Sequence, residues 1–177
     1  EIKEKLLNFE KMMKIYNLLL GYYKNQNWCP ARTDYEMMVG AILTQNTTWN
    51  NVKKAIKSLN TRLNPVDILE MEKDELAVLI KSSGYYNQKA IKLKALTNWF
   101  KGYEFNIEKA KNKLGEELRK ELLSIYGVGK ETADCILTYA LDKPYFVIDT
   151  YTRRLFERIG FCVPADYDEF RQMIEKS

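Results

Sequence analysis

Leu118-Arg119-Lys120-Glu121-Leu122-Leu123-Ser124-Ile125-Tyr126-Gly127-Val128-Gly129-Lys130-Glu131-Thr132-Ala133-Asp134-Cys135-Ile136-Leu137 is the stretch that decides the fold. Apolar residues at helical spacing on both sides of a Gly-Val-Gly triplet predict helix, tight turn and helix, over roughly residues 116–140. Two glycines allow positive φ in the turn, and Val128 between them can tuck into the core. Backbone N–H groups at the start of the second helix would then face outward, where the helix dipole suits a phosphate oxygen. An ordinary αα-hairpin with glycine after its first helix fits the same residues.

Downstream comes Phe146-Val147-Ile148-Asp149-Thr150-Tyr151-Thr152-Arg153-Arg154, an apolar, strand-like run that ends on a carboxylate at a helix start. Asp149 is a good helix N-cap on this pattern, and such caps contribute about 1 kcal/mol. A second reading is chemical. Glycosidic-bond cleavage passes through an oxocarbenium-like state and needs an ionised carboxylate near C1′, to stabilise positive charge or to activate water.

Upstream, the helical period continues. Leu6, Leu7, Met12, Met13, Ile15, Tyr16, Leu19 and Leu20 mark a long amphipathic helix that Asn25 to Pro30 breaks. Thr33 or Asp34 offers an N-cap for the dense apolar run Met37 to Leu43, which predicts a central buried helix before the polar Thr44-Gln45-Asn46-Thr47-Thr48. Further helices are expected over Asn50–Leu59, from Pro65, over Lys73–Ser82 and over Asn87–Phe100, the last carrying Lys89, Lys92 and Lys94 as a cationic, solvated face. Only Pro144 to Ile148 reads as a strand, and five residues build no sheet, so the class is all-α with nine or ten helices. The expected organisation is residues 1–30 as a helix of an outer lobe, 31–145 as a central helical domain and 146–177 as the aspartate segment returning to the outer lobe.

Composition narrows the chemistry. At 177 residues the chain can bury a core without staples, and Cys29, Cys135 and Cys162 are odd in number and lack C-x-x-C spacing, which argues against a disulfide framework or a cysteine-built cluster. The chain has no histidine, so the commonest general base and zinc ligand are missing and carboxylate, lysine or backbone must act. A net charge of +4 is compatible with phosphate binding but does not require it. No apolar run reaches the roughly 20 residues of a membrane span, and the charged start is not signal-like, so a cytoplasmic location without membrane partners is expected, and a nucleoid-associated monomer if the chain binds DNA.

The run from Leu122 to Ile159, with Gly-Val-Gly-Lys-Glu-Thr-Ala-Asp followed by Val-Ile-Asp-Thr-Tyr, resembles the hairpin and catalytic-aspartate segment of the endonuclease III family. Val39-Gly40-Ala41-Ile42-Leu43-Thr44-Gln45-Asn46-Thr47 is similar to its buried helix and following loop, and Ser83-Gly84-Tyr85-Tyr86-Asn87-Gln88-Lys89-Ala90 to its Gly-x-x-x-x-Lys-Ala segment. Trp28-x-Pro30, Thr44 to Thr47 and Gly129 to Asp134 look closest to the 3-methyladenine DNA glycosylase III branch.

The resemblance implies a helix-hairpin-helix DNA glycosylase with two helical lobes flanking a DNA-binding cleft, acting in base excision repair on duplexes with a damaged base or abasic site. Asp149 would be the catalytic carboxylate, and Gly127, Gly129 and the neighbouring amides, at Val128, Lys130 and Thr132, the phosphate clamp. A monovalent cation would sit at the Gly127 and Gly129 carbonyls, with no metal held by side chains. Gln45 would fill the space left by the flipped nucleotide. Trp28, Trp49 and Glu131 would line the base pocket, where an aromatic face favours a cationic alkylpurine, although tryptophans near helix starts more often serve core or rim packing.

Two departures matter. Bifunctional relatives carry a lysine two positions after the second hairpin glycine, where this chain has Glu131, and a carboxylate forms no Schiff base. Lys130 is one residue away, its side chain turned by about 100°, so a monofunctional, water-using enzyme is expected. Many relatives also end in a four-cysteine [4Fe-4S] loop, which here would need cysteines beyond Ser177; a cluster-free form and a fragment both remain open. The rival readings are a glycosylase/AP lyase, a non-catalytic DNA-binding module and a protein-interaction bundle.

Overall fold

The computed structural model describes residues 8–26 and 31–177. Among these, every regular element is helical. Eleven α-helices occur: α1 Phe9–Tyr23, α2 Asp34–Leu43, α3 Trp49–Leu59, α4 Pro65–Glu70, α5 Lys73–Leu79, α6 Tyr86–Lys101, α7 Ile107–Lys111, α8 Gly115–Ser124, α9 Lys130–Tyr139, α10 Thr150–Arg158 and α11 Tyr167–Glu175. The count exceeds expectation because α7 is a single short turn with no long apolar period, and Glu104 and Phe105 (φ 55° and 56°) break the chain before it. The helix expected over Lys73–Ser82 ends at Leu79 and continues as a 3₁₀ turn, Lys81–Ser83. None of the described helices is long and apolar enough to cross a membrane.

The described residues form two compact units, one of residues 31–144 and one of residues 8–26 and 145–177. In the first, α2 is the centre. Thr33 caps it, its Oγ1 accepting from Glu36 N at 3.0 Å. Every α2 residue from Tyr35 to Leu43 is buried, with α3, α6 and α9 packed around it. Full burial of Met38, Val39, Ile42 and Leu43 contributes about 1.5–3 kcal/mol each.

The lysines of α6 do not form the solvated face that their spacing suggests. Lys89 is 1% exposed, and its Nζ donates to Leu43 O (2.8 Å) and Ser83 O (2.6 Å). Lys94 Nζ donates to Ile68 O and Leu69 O at the end of α4. Both ammonium groups thus satisfy helix-terminal carbonyls, which otherwise lack partners and carry the negative end of the helix dipole.

Burial, helped by the neighbouring charge of Lys92, pushes Lys89 down to about 8 from its ordinary 10.5. Below pH 8 folded and unfolded chains are both protonated here, and the cost of the buried charge is present in full. Between pH 8 and 10.5 only the unfolded chain keeps the proton, so stability rises with pH, by about 3 kcal/mol from this group. Tyr35, whose phenol burial pushes up, opposes this slope once an unfolded tyrosine ionises. The difference between the wild type and Lys89→Met cancels that contribution. We expect chemical denaturation from pH 7 to 9.5 to show the wild type gaining stability relative to the variant; parallel curves would refute the assignment.

In the second unit, Ile148, Phe156, Phe170 and Ile174 form the core, with Met12 and Ile15 of α1 against it. Phe156 and Phe170 meet edge to face, their centroids 5.5 Å apart. The strand expected at Pro144 to Ile148 is absent: these residues are irregular, and their amides bond to α11 side chains rather than to a neighbouring strand. Phe146 N donates to Glu175 Oε1 and Ile148 N to Tyr167 Oη.

Candidate active site

The hairpin joins α8 to α9 within residues 31–144. Gly127 has φ +79°, the left-handed region that favours glycine, and a Cβ there would overlap the Lys92 side chain. Gly129 differs from expectation. Its φ is −90° with ψ 179°, an extended cap that other residues adopt, and a Cβ would meet nothing within 4 Å. Its side-chain-free surface instead keeps the start of α9 open to close approach. Val128 is 6% exposed and points inward as expected, and its N–H donates to Ile125 O at 3.1 Å. It therefore belongs to the hairpin's own packing rather than to a contact surface.

An ion pair between half-buried Arg119 and buried Asp134 staples the two hairpin helices. Arg119 Nε lies 2.6 Å from Asp134 Oδ1 and its second fork nitrogen 3.2 Å from Oδ2, with Asp134 fully buried. This two-point geometry fixes both the spacing and the rotation of α8 against α9.

Gln45, at the end of α2, turns toward the hairpin. Its Nε2 donates to Gly127 O and to Thr132 Oγ1, each at 3.0 Å, and its Oε1 accepts from Lys92 Nζ at 2.7 Å. Thr132 is accordingly buried with its hydroxyl on Gln45, so what it offers a clamp is its backbone N–H, which belongs to the first turn of α9 and has no partner within that helix. Asn46, the residue after Gln45 in its loop, is exposed and has φ +52°.

Asp149 lies in the other unit, where it caps α10. Its Oδ1 accepts from Thr152 N (2.7 Å) and Thr152 Oγ1 (2.8 Å). No described residue bonds Oδ2. One carboxylate oxygen is therefore immobilised by the helix start, leaving the other as the acceptor that the site can offer to water or to a positive sugar carbon.

The remaining candidates separate clearly. Trp28 lies outside the described residues. Trp49 opens α3 and is 41% exposed, which fits a stacking surface better than a core role. Lys130 and Glu131 form the first turn of α9, half-buried and exposed respectively. Of the expected cation ligands, Gly127 O accepts from Gln45 and Gly129 O from Ala133 N (2.8 Å), which engages one of the two lone pairs of each carbonyl. Three cysteines, of which the described Cys135 and Cys162 fall in different units, do not fit a four-thiolate iron–sulfur cluster. Sequence reading missed Arg119, Asp134, Lys89 and Lys92. Lys89 and Asp134 stood inside the family-like segments without a role of their own, and Arg119 and Lys92 showed only as charge on an amphipathic helix, which usually marks solvent.

Comparison with known proteins identifies the family. The family described as HhH-GPD superfamily base excision DNA repair protein matches residues 39–177. A Methanocaldococcus jannaschii protein described as a candidate DNA repair glycosylase is 51% identical over 174 residues, covering 96% of this chain and 79% of the relative. Endonuclease III of Thermotoga maritima is 28% identical over 143 residues, covering 80% of this chain and 64% of the relative. Among solved structures, the 3-methyladenine DNA glycosylase of H. pylori bound to 1,N6-ethenoadenine superposes with a TM-score of 0.81 at 33% identity, covering 95% of this chain and 80% of that one. With its hairpin, its capped aspartate and its wholly helical described elements, the chain belongs to the HhH-GPD superfamily of base excision DNA repair proteins.

Proposed function

We propose that the chain is a monofunctional DNA glycosylase that excises alkylated purines from duplex DNA. The observation that carries this reading is Asp149, held through one oxygen at the start of α10 with the other lacking a described partner. In the proposed reaction water attacks C1′, the N-glycosidic bond breaks, the base leaves with the bond's electron pair, and the carboxylate takes the proton from water. The α9 first turn grips a phosphate of the lesion strand through its backbone amides. Asn46, rather than the internally bonded Gln45, enters the stack where the nucleotide has flipped out.

Two features support the finer assignment. Glu131 stands where lyases of the family need an amine, so no covalent sugar adduct forms. Trp49 offers an exposed aromatic face to a cationic purine ring, and the similar H. pylori enzyme was solved with a modified adenine. We expect free base to be released from duplexes containing 1,N6-ethenoadenine or N-methylated purines, leaving the abasic strand uncut. Borohydride added during turnover should trap no protein–DNA adduct. An adduct would establish the glycosylase/AP lyase reading instead, and binding without base release would establish the non-catalytic module.

A further inference from the structure

We propose that Lys92 and Gln45 act together as positioning residues that set the phosphate-gripping turn; the inference rests on the DNA-binding role proposed above. Lys92 extends from α6 so that its stem covers the Gly127 backbone, occupying the space a Cβ would need. Its Nζ donates to Gln45 Oε1 at 2.7 Å, and no described carboxylate pairs with it. Gln45 Nε2 then donates to Gly127 O and Thr132 Oγ1.

The chemistry of the partners fixes the orientation of this amide. An ammonium only donates and a carbonyl only accepts, so Gln45 cannot flip without losing both contacts. The ammonium charge also polarises the amide and strengthens its two N–H bonds. Gly127 and Thr132 bracket the turn that carries Gly129, Lys130 and Glu131. A single side chain therefore holds both ends of that turn, and Lys92 holds the side chain.

Such a device acts through geometry, not through direct charge on DNA, and the two are separable by measurement. The probe is a duplex containing a tetrahydrofuran abasic analogue, titrated at several salt concentrations against wild type, Lys92→Met, Gln45→Leu and the double variant. Methionine keeps the stem over Gly127 and removes only the donor. Each single variant is expected to raise Kd about tenfold, the effect of losing one hydrogen bond to a charged group. The double variant should be no weaker than the worse single one, because each breaks the same chain. The slope of log Kd against log salt should stay at the wild-type value in Lys92→Met.

A slope reduced by about one ion would overturn the proposal by making Lys92 a phosphate ligand. Additive losses, or unchanged affinity in both single variants, would overturn it as well while leaving the glycosylase reading intact. Failure of the wild type to bind the duplex would sink both. Thermal unfolding of each variant is followed in parallel, and Gln45→Asn provides a second break in the chain should Gln45→Leu fold poorly.

Discussion

Asp149→Asn is expected to reduce single-turnover base release at least about 100-fold, the scale of losing a positioned base or charge stabiliser. Folding should survive, because asparagine caps helices as well as aspartate does and its Oδ1 can still accept from Thr152 N. The substitution therefore separates the two roles that Asp149 could play. A pure cap predicts wild-type base release in Asp149→Asn and a stability loss of about 1 kcal/mol in Asp149→Ala. The catalytic reading predicts that both variants are inactive, with only the alanine variant less stable. Wild-type turnover in Asp149→Asn would remove Asp149 from the chemistry, and the proposed glycosylase mechanism with it.

Arg119→Met is expected to give the largest loss of stability. Removing one partner of a buried ion pair leaves the other charge in a low-dielectric interior, at a cost of about 3–5 kcal/mol. Asp134 is fully buried, and the Arg119 fork meets both its oxygens. For a chain of this size that corresponds to a fall in Tm of about 10 °C or more. Replacing both members, as Arg119→Met with Asp134→Leu, should recover much of the loss, since no charge is then stranded. A single-variant loss below about 1 kcal/mol in denaturant titration would show that the pair is dispensable. The measurement also bears on the hairpin's purpose: the pair sets the α8–α9 spacing without touching the turn, so any binding defect should follow the folded fraction.

Sequence and structure agree or part company according to the range of each signal. Glycine placement, the caps at Thr33 and Asp149 and the period of apolar residues are local, and they were enough to place the hairpin, the buried α2 and the helical class. A short apolar run was not enough at Pro144 to Ile148, because a strand needs a partner strand and these amides found α11 side chains instead.

Apart from these caps, the partners of polar side chains lay beyond local reading. The spacing of Lys89, Lys92 and Lys94 described a solvated face, yet two of them cap helix-terminal carbonyls and the third holds Gln45 from 47 positions away. Gln45 in turn selects partners 82 and 87 residues distant. The amino-acid sequence by itself thus determined the helical class, the hairpin and the caps of α2 and α10. Only the tertiary structure decided where the polar groups point, because a buried donor must find an acceptor wherever the packed chain brings one, and sequence distance places no limit on that choice.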